Sequence, residues 1–484
     1  MSAHSVSPAP DRAATSTVTV TPRSIFAAVF GLILGMAILK FGNPVILDHQ
    51  IEAPKDFAEA ITVSWPAQWG QIAVFVASLA GGLLYLLDPS SRGLRPARIL
   101  WLTPLLWFGW QRFAAGRTVD AGLSGPTQVH FAACVACYLT GLLLLSRKGS
   151  PPLMLVFLLG AFLVCLVKGA NQHQVEFKRD RQTLVEGERT GWREFPAEVV
   201  EQMKRESLII QTNGVDIANP IILLKLQRGR IHGTLVYPNA LAGAILLLLP
   251  VTLAWTVFGT GELRPAIRRV LIALVTFLGL GCLYWTGSKS GWLIALAVIG
   301  FRLFQFPIPR RTRIAVLTAV AVLGLLAFGI RFHSYFSAGA TSVGARFDYW
   351  RAAVATAAAH PATGTGPGTF QRPYAQIKSP TAEMARLVHN DYLEQFSDSG
   401  IIGGLLYLTW IGALVAAVGR HALNPGKPIF QAMALGVLAW LAQGFVEFGL
   451  YIPALSWTAF TLAGILAALP VQPRKQSESD SCFD

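Results

Sequence analysis

Twelve apolar runs of roughly the length that crosses a bilayer, about 17 to 25 residues, leave this chain little choice of fold. They lie near residues 24–41, 72–87, 97–111, 128–145, 152–168, 240–258, 269–286, 290–305, 314–331, 400–419, 429–447 and 451–468. With no water in the hydrocarbon to satisfy backbone polar groups, such runs fold as helices. The predicted class is an all-α polytopic membrane protein of about twelve transmembrane helices. Hydrophobic side chains make up 53% of the 484 residues and charged ones 14%. With a mean hydropathy of +0.49, the chain is too apolar for an ordinary soluble surface. Residues 1–22 read as a disordered cytoplasmic tail, 23–470 as one transmembrane domain and 471–484 as a second cytoplasmic tail. The first run reads as a membrane helix, not a signal peptide, because a long polar segment precedes it and no small-residue cleavage site follows.

Orientation follows from basic residues in short loops, which stay in the cytoplasm. Placing the first helix inside to outside puts Arg92, Arg95, Arg98, Arg147, Lys148, Arg264, Arg268, Arg269, Arg310, Arg311, Arg313, Arg420 and Lys427 inside. Only Lys55, Arg112, Arg117 and Lys289 then fall in short external loops. Both termini are predicted cytoplasmic, and the two long loops, 169–239 and 332–399, external. The net charge of +14 is spread in twos and threes between apolar runs, which marks cytoplasmic loops and argues against nucleic acid as a partner. Cys134-Val-Ala-Cys137 has redox spacing but lies within an apolar run, where it reads as two small apolar residues. No zinc constellation is present.

The polar chemistry gathers at the predicted external face. Arg386-Leu-Val-His-Asn-Asp-Tyr-Leu-Glu-Gln-Phe-Ser-Asp-Ser-Gly400 sets a base, an imidazole, an amide and several carboxylates at the mouth of a membrane helix. His389 is the group suited to trade protons near neutral pH. Arg228 and Arg230 precede Asn239 at a helix start, a pattern that can hold a phosphate. Lys289 sits between serines in a tight helical hairpin, as an anion contact or a snorkelling anchor. The stretch from Arg346 to Ala359 should form a helix parallel to the membrane. The following Gly364-Thr-Gly366-Pro-Gly368 run should make a tight turn; without Gly-Lys-Ser/Thr after it, it is no nucleotide P-loop. Residues 195–204 suggest a short amphipathic helix, lying either on the membrane or against its own loop. Glu447 and Gln443, deep among apolar residues, are functional candidates because a carboxylate there is costly unless it faces a cavity or a partner.

In combination these features resemble the O-antigen ligase and O-antigen polymerase superfamily of bacterial membrane glycosyltransferases, over residues 228 to 410. His389-Asn390-Asp391-Tyr392-Leu393, Asp398-Ser399-Gly400 and the Ile-Ile-Gly-Gly helix start carry most of it. The Arg346–Trp350 segment, His360-Pro361 with its glycine run, Pro238-Asn239 and the Ser288-Lys289-Ser290-Gly291 hairpin support it. Lys289 stands where the family commonly has arginine, and Asp398 where it commonly has glutamate. The resemblance implies transfer of a glycan from a polyprenyl diphosphate carrier to an acceptor, lipid A core favoured, at the periplasmic face of the bacterial inner membrane. No cofactor and no obligatory metal are implied. His389 would be the catalytic base or the group that orients the acceptor, in an inverting single displacement, or else a diphosphate contact. Arg228, Arg230, Lys289, Arg346 and Arg386, with Asn239 and Asn390, would bind the diphosphate and substrate. A polysaccharide polymerase and a protein O-glycosylating enzyme share this donor chemistry. A transporter of lipid-linked glycans is the reading from another class; the absence of an obvious internal repeat counts against it.

Overall fold

The computed structural model describes residues 21–87, 96–147, 150–337 and 341–470. The predicted tails fall almost wholly outside this range, as do Arg92, Arg95 and Lys148 of the orientation argument. The described residues form α-helices and one small hairpin. In order they are α1 (Pro22–Lys40), α2 (Phe57–Thr62), α3 (Ala67–Leu87), α4 (Arg98–Ala115), α5 (Ala121–Thr140), α6 (Ser150–Asn171), α7 (Phe177–Thr190), α8 (Ala197–Arg205), β1 (Ile209–Thr212), β2 (Val215–Ala218) and α9 (Pro220–Arg228). Then follow α10 (Pro238–Phe258), α11 (Pro265–Thr286), α12 (Lys289–Phe304), α13 (Arg310–Ser337), α14 (Thr341–Ala359), α15 (Gln371–Ile377), α16 (Asp391–Ala422), α17 (Pro428–Gln443) and α18 (Pro453–Ala468).

Each of the twelve apolar runs is a helix, and the chain is an all-α polytopic membrane protein. Eight of these helices are long and apolar enough to cross a bilayer, counting α6 and α7 as one continuous 40-residue helix joined through a π turn. The other four are α4, α12, α17 and α18. The last three are 16 residues each, about 24 Å of helix at 1.5 Å per residue. Twelve is therefore the count that the sequence predicts, and eight the count that length and composition support.

The core lies where α18, buried from Pro453 to Leu466, meets α5, α16 and α17. Without a hydrophobic drive between helices in lipid, close backbone approach supplies the packing. At the α10–α17 contact, a Cβ on Gly436 would stand 2.1 Å from the Leu247 carbonyl oxygen. By contrast α13 is unburied along its apolar window, as befits a helix facing lipid.

Both long loops are folded. In the first, β1 and β2 pair antiparallel, from Ile209 opposite Ala218 to Thr212 opposite Val215. Val200 and Met203 of α8 pack against Leu184, Trp192, Ile209 and Ala218. The apolar side of the predicted amphipathic helix is thus spent on its own loop, which is the second of the two placements considered above. In the second, α14 starts at Thr341, five residues before the predicted start.

Candidate functional site: a basic cleft closed by α14

A cleft of about 720 Å³ opens beside the starts of α10 and α12, with α14 forming one wall. Local capping rules place its side chains. Tyr237 and Pro238 start α10, which leaves Asn239 on the first turn with its amide free to reach outward. Gly287 ends α11 in the left-handed conformation (φ 60°), and the Ser288 side chain caps α12 by accepting from Gly291 N at 3.2 Å. Lys289 is thereby the first residue of α12. Asn390 caps α16, accepting from Tyr392 N and Leu393 N at 3.0 Å each. Asp391 N donates to Gly444 O at 2.8 Å, and Trp350 Nε1 donates to His389 O at 3.4 Å. Held from both sides, His389 takes φ 55°, a region where non-glycine residues are uncommon and cost of order 1–3 kcal/mol.

Glu447, 2% exposed, is the hub of the cleft. Asn239 Nδ2 donates to its Oε1 at 2.7 Å, and Arg346 Nη2 donates to the same oxygen. Its Oε2 accepts from the Tyr237 hydroxyl at 3.2 Å and lies 3.4 Å from His389 Nδ1. Arg230 extends the chain: its Nη2 donates to Asn239 Oδ1 at 3.0 Å and its Nε to Thr286 O at 2.7 Å. A lone buried carboxylate would cost several kcal/mol. Here burial pushes the Glu447 carboxyl up, but the hydrogen bond and charge of His389, then Arg346 and the Tyr237 hydroxyl, outweigh it and hold it below its ordinary value. Burial pushes the Arg230 guanidinium down; Glu447 opposes this, while Arg228, Arg331 and Arg346 add to it.

The Lys289 ammonium rests over the Tyr335 ring, 3.7 Å from its centroid, and among the described residues no carboxylate pairs with it. The His389 ring stacks with Tyr349 at 5.8 Å and meets the edge of Phe448 at 4.7 Å. With Nδ1 turned to Glu447, Nε2 is the nitrogen left for a ligand.

Of the predicted site residues, Arg230, Asn239, Lys289, Arg346 and His389 line this one cleft. Arg228 and Arg386 are exposed and do not line it, and Asn390 is buried with its side-chain oxygen engaged as the helix cap. Glu447, set apart in sequence as a costly carboxylate, joins His389 across more than fifty residues. Tyr237 and Tyr349 were not singled out; the signal for Tyr349 is its position three residues after Arg346, on the same face of a helix.

The other half of the motif is scaffold. Asp398 is fully buried, its Oδ2 accepting from Gly368 N at 2.6 Å and the Tyr451 hydroxyl at 2.7 Å. Thr365 N and Gly366 N donate to the carbonyls of Ser397 and Asp398 at 3.1 and 2.8 Å. The glycine run, with positive φ at Gly364, Gly366 and Gly368, thus wraps the first part of α16, and the amides of Thr365, Gly366 and Gly368 are spent there, not on a ligand. At Gly400 (φ 70°, ψ −173°) α16 breaks, and Ile401 N donates to Pro361 O at 2.9 Å. Among the described residues no group of three or more His, Cys, Asp or Glu side chains is placed to hold a metal ion.

Residues 274–408 match a family model described as O-Antigen ligase. The matched segment holds Lys289, Arg346, His389 and the Asp398 scaffold, while Arg230, Asn239 and Glu447 come from outside it. A comparison with curated proteins gives no match.

Proposed function

We propose, for a multi-pass bacterial membrane protein that carries a domain of the O-antigen ligase superfamily, the transfer of a glycan from a polyprenyl diphosphate carrier to an acceptor hydroxyl at the periplasmic face of the inner membrane. The observation that carries this reading is the Glu447 hub, which holds an imidazole and two guanidiniums around one open cleft.

In an inverting displacement the acceptor oxygen attacks the anomeric carbon, its proton passes to His389, and the carbon–oxygen bond to the diphosphate breaks. The electron pair leaves with the lipid diphosphate, which gains a negative charge in the transition state. Two demands follow. A base must be oriented at the acceptor, and Glu447 does this by fixing one face of the His389 imidazole and stabilising the imidazolium that forms. Cations must meet the growing charge, and Arg230, Arg346 and Lys289 stand on the same cleft. Arg230 and Arg346 are held rigidly by hydrogen bonds, so they need little reorganisation. Lys289, resting on an aromatic ring, is free to move onto a phosphate. Arg228 and Arg386, exposed and off the cleft, fit an approach path for anionic lipids better than the reaction centre.

Lipid A core is the favoured acceptor. A polymerase, whose acceptor is another lipid-linked repeat, would use the same donor end. The deciding experiment incubates purified protein with an undecaprenyl-diphosphate-linked glycan and lipid A core, following the acceptor by gel shift for wild type and His389→Ala. A shifted acceptor that disappears in the variant is the expected result. Lengthening of the donor would establish a polymerase, and no product from any lipid-linked donor and acceptor would favour a transporter.

A further inference from the structure

The cleft is chemically divided along α14. Arg346, with Lys289 and Arg230 beside it, occupies one end. Within the next turn, two and three residues on, the lining changes to Asp348 and Tyr349, joined by Tyr374 of α15 and Glu383 of the loop after it. Tyr349 stacks on His389 at 5.8 Å with 30° between the planes and meets Tyr374 edge-on at 5.3 Å. Tyr374 is buried, and its hydroxyl donates to Glu383 O at 3.2 Å, tying the loop that bears Glu383 to this end. Asp348 makes only a loose contact with Arg351, 3.7 Å on an exposed surface. Both carboxylates act on Tyr349: burial first, then Glu383, hold its phenol above the ordinary value, Arg346 opposes this, and Asp348 adds to it.

A diphosphate would be repelled by these carboxylates. A pyranose would not, since it offers an apolar C–H face for an aromatic ring and a rim of hydroxyl donors for carboxylate oxygens. In an inverting displacement the attacking oxygen arrives at the anomeric carbon opposite the leaving diphosphate, so the acceptor sugar belongs on the side of that carbon away from the cations, within reach of His389. Resting on the transferase reading above, we propose that Tyr349, Asp348 and Glu383 form the subsite for the acceptor sugar, with the exposed rim of the largely buried Tyr349 as its apolar wall and the two carboxylates selecting its hydroxyls.

The test measures binding of two probes, undecaprenyl diphosphate and lipid A core, to the full-length protein in detergent by microscale thermophoresis, with thermal melts to verify folding. Tyr349→Ala and the double variant Asp348→Asn/Glu383→Gln are expected to weaken lipid A core at least tenfold and to leave undecaprenyl diphosphate within twofold. Tyr349→Phe, which keeps the apolar wall, should stay near wild type for both, and Lys289→Ala should show the reverse pattern. Variants that leave lipid A core affinity unchanged, or weaken both probes equally, overturn the subsite. Wild type that binds undecaprenyl diphosphate but not lipid A core overturns the subsite alone; wild type that binds neither overturns the transferase reading with it.

Discussion

His389 and Asp398 lie nine residues apart in one motif, yet the structure gives them opposite work. His389 is partly exposed, strained at φ 55° and turned toward an open cleft. Asp398 is fully buried, unstrained, and spends one oxygen on a backbone amide and a tyrosine hydroxyl. The contrast separates two uses of polar groups in an apolar protein. One set is held in place at an energetic cost and keeps an atom free for a ligand. The other stitches the glycine run to α16 so that the first set stays where it is.

Substitution should break this contrast most sharply at His389. Replacing it with Ala is expected to slow transfer roughly a hundred- to ten-thousand-fold, the usual share of a general base, while leaving the melting temperature near that of wild type. Gly400→Ala should do the converse. A Cβ there would stand 2.4 Å from the Ala362 carbonyl oxygen in a backbone conformation that side chains rarely adopt, so a large loss of thermal stability is expected, with lipid diphosphate affinity unchanged in the fraction that folds. Asp398→Ala leaves both Gly368 N and the Tyr451 hydroxyl without their acceptor, for an expected loss of about 1–3 kcal/mol for each buried donor, measurable by chemical denaturation in detergent.

A smaller effect tests the Glu447 hub by pH. Its carboxyl is held below the ordinary 4.5, so its contribution to stability is complete above that pH and fades as pH falls through its lower folded-state value. Glu447→Gln should flatten the acid limb of a melting-temperature profile below pH 4.5; an unchanged limb would detach Glu447 from the stability of the cleft. The smallest effect is at His389 again, where Gly, compared with Ala at the same position, removes the penalty on positive φ and should be more stable by about 1 kcal/mol, with transfer abolished in both. That gain of Gly over Ala is what strain held for function predicts.

Much of this was legible in the chain. Apolar run length forces helices in lipid, which is why each of the twelve runs is one, and the sequence places Asn239 at a helix entrance and Lys289 in a hairpin, whereas α16 starts at Asp391, capped by Asn390, well before the predicted run near residue 400. The bases and His389 of one cleft could be named because ionisable side chains at the ends of apolar runs are few. Their grouping was less legible. Arg228 and Arg386 look equivalent to Arg230 and Arg346 in sequence, and only the direction in which α9 and the loop before α16 leave the bundle separates them. The amphipathic pattern of α8 is the same whether it meets lipid or its own loop.

The sequence by itself determined an all-α membrane fold and a polar face rich in cations around His389, because hydropathy and local motifs act over a few residues at a time. The tertiary structure alone decided that Glu447 meets His389, that Asp398 and the glycines serve as scaffold, and that Tyr349 of α14 lies against the His389 ring. Those facts depend on how helices distant in sequence cross. The physical reason is that a carboxylate's role is set by what neutralises it, and that partner lies elsewhere in the chain.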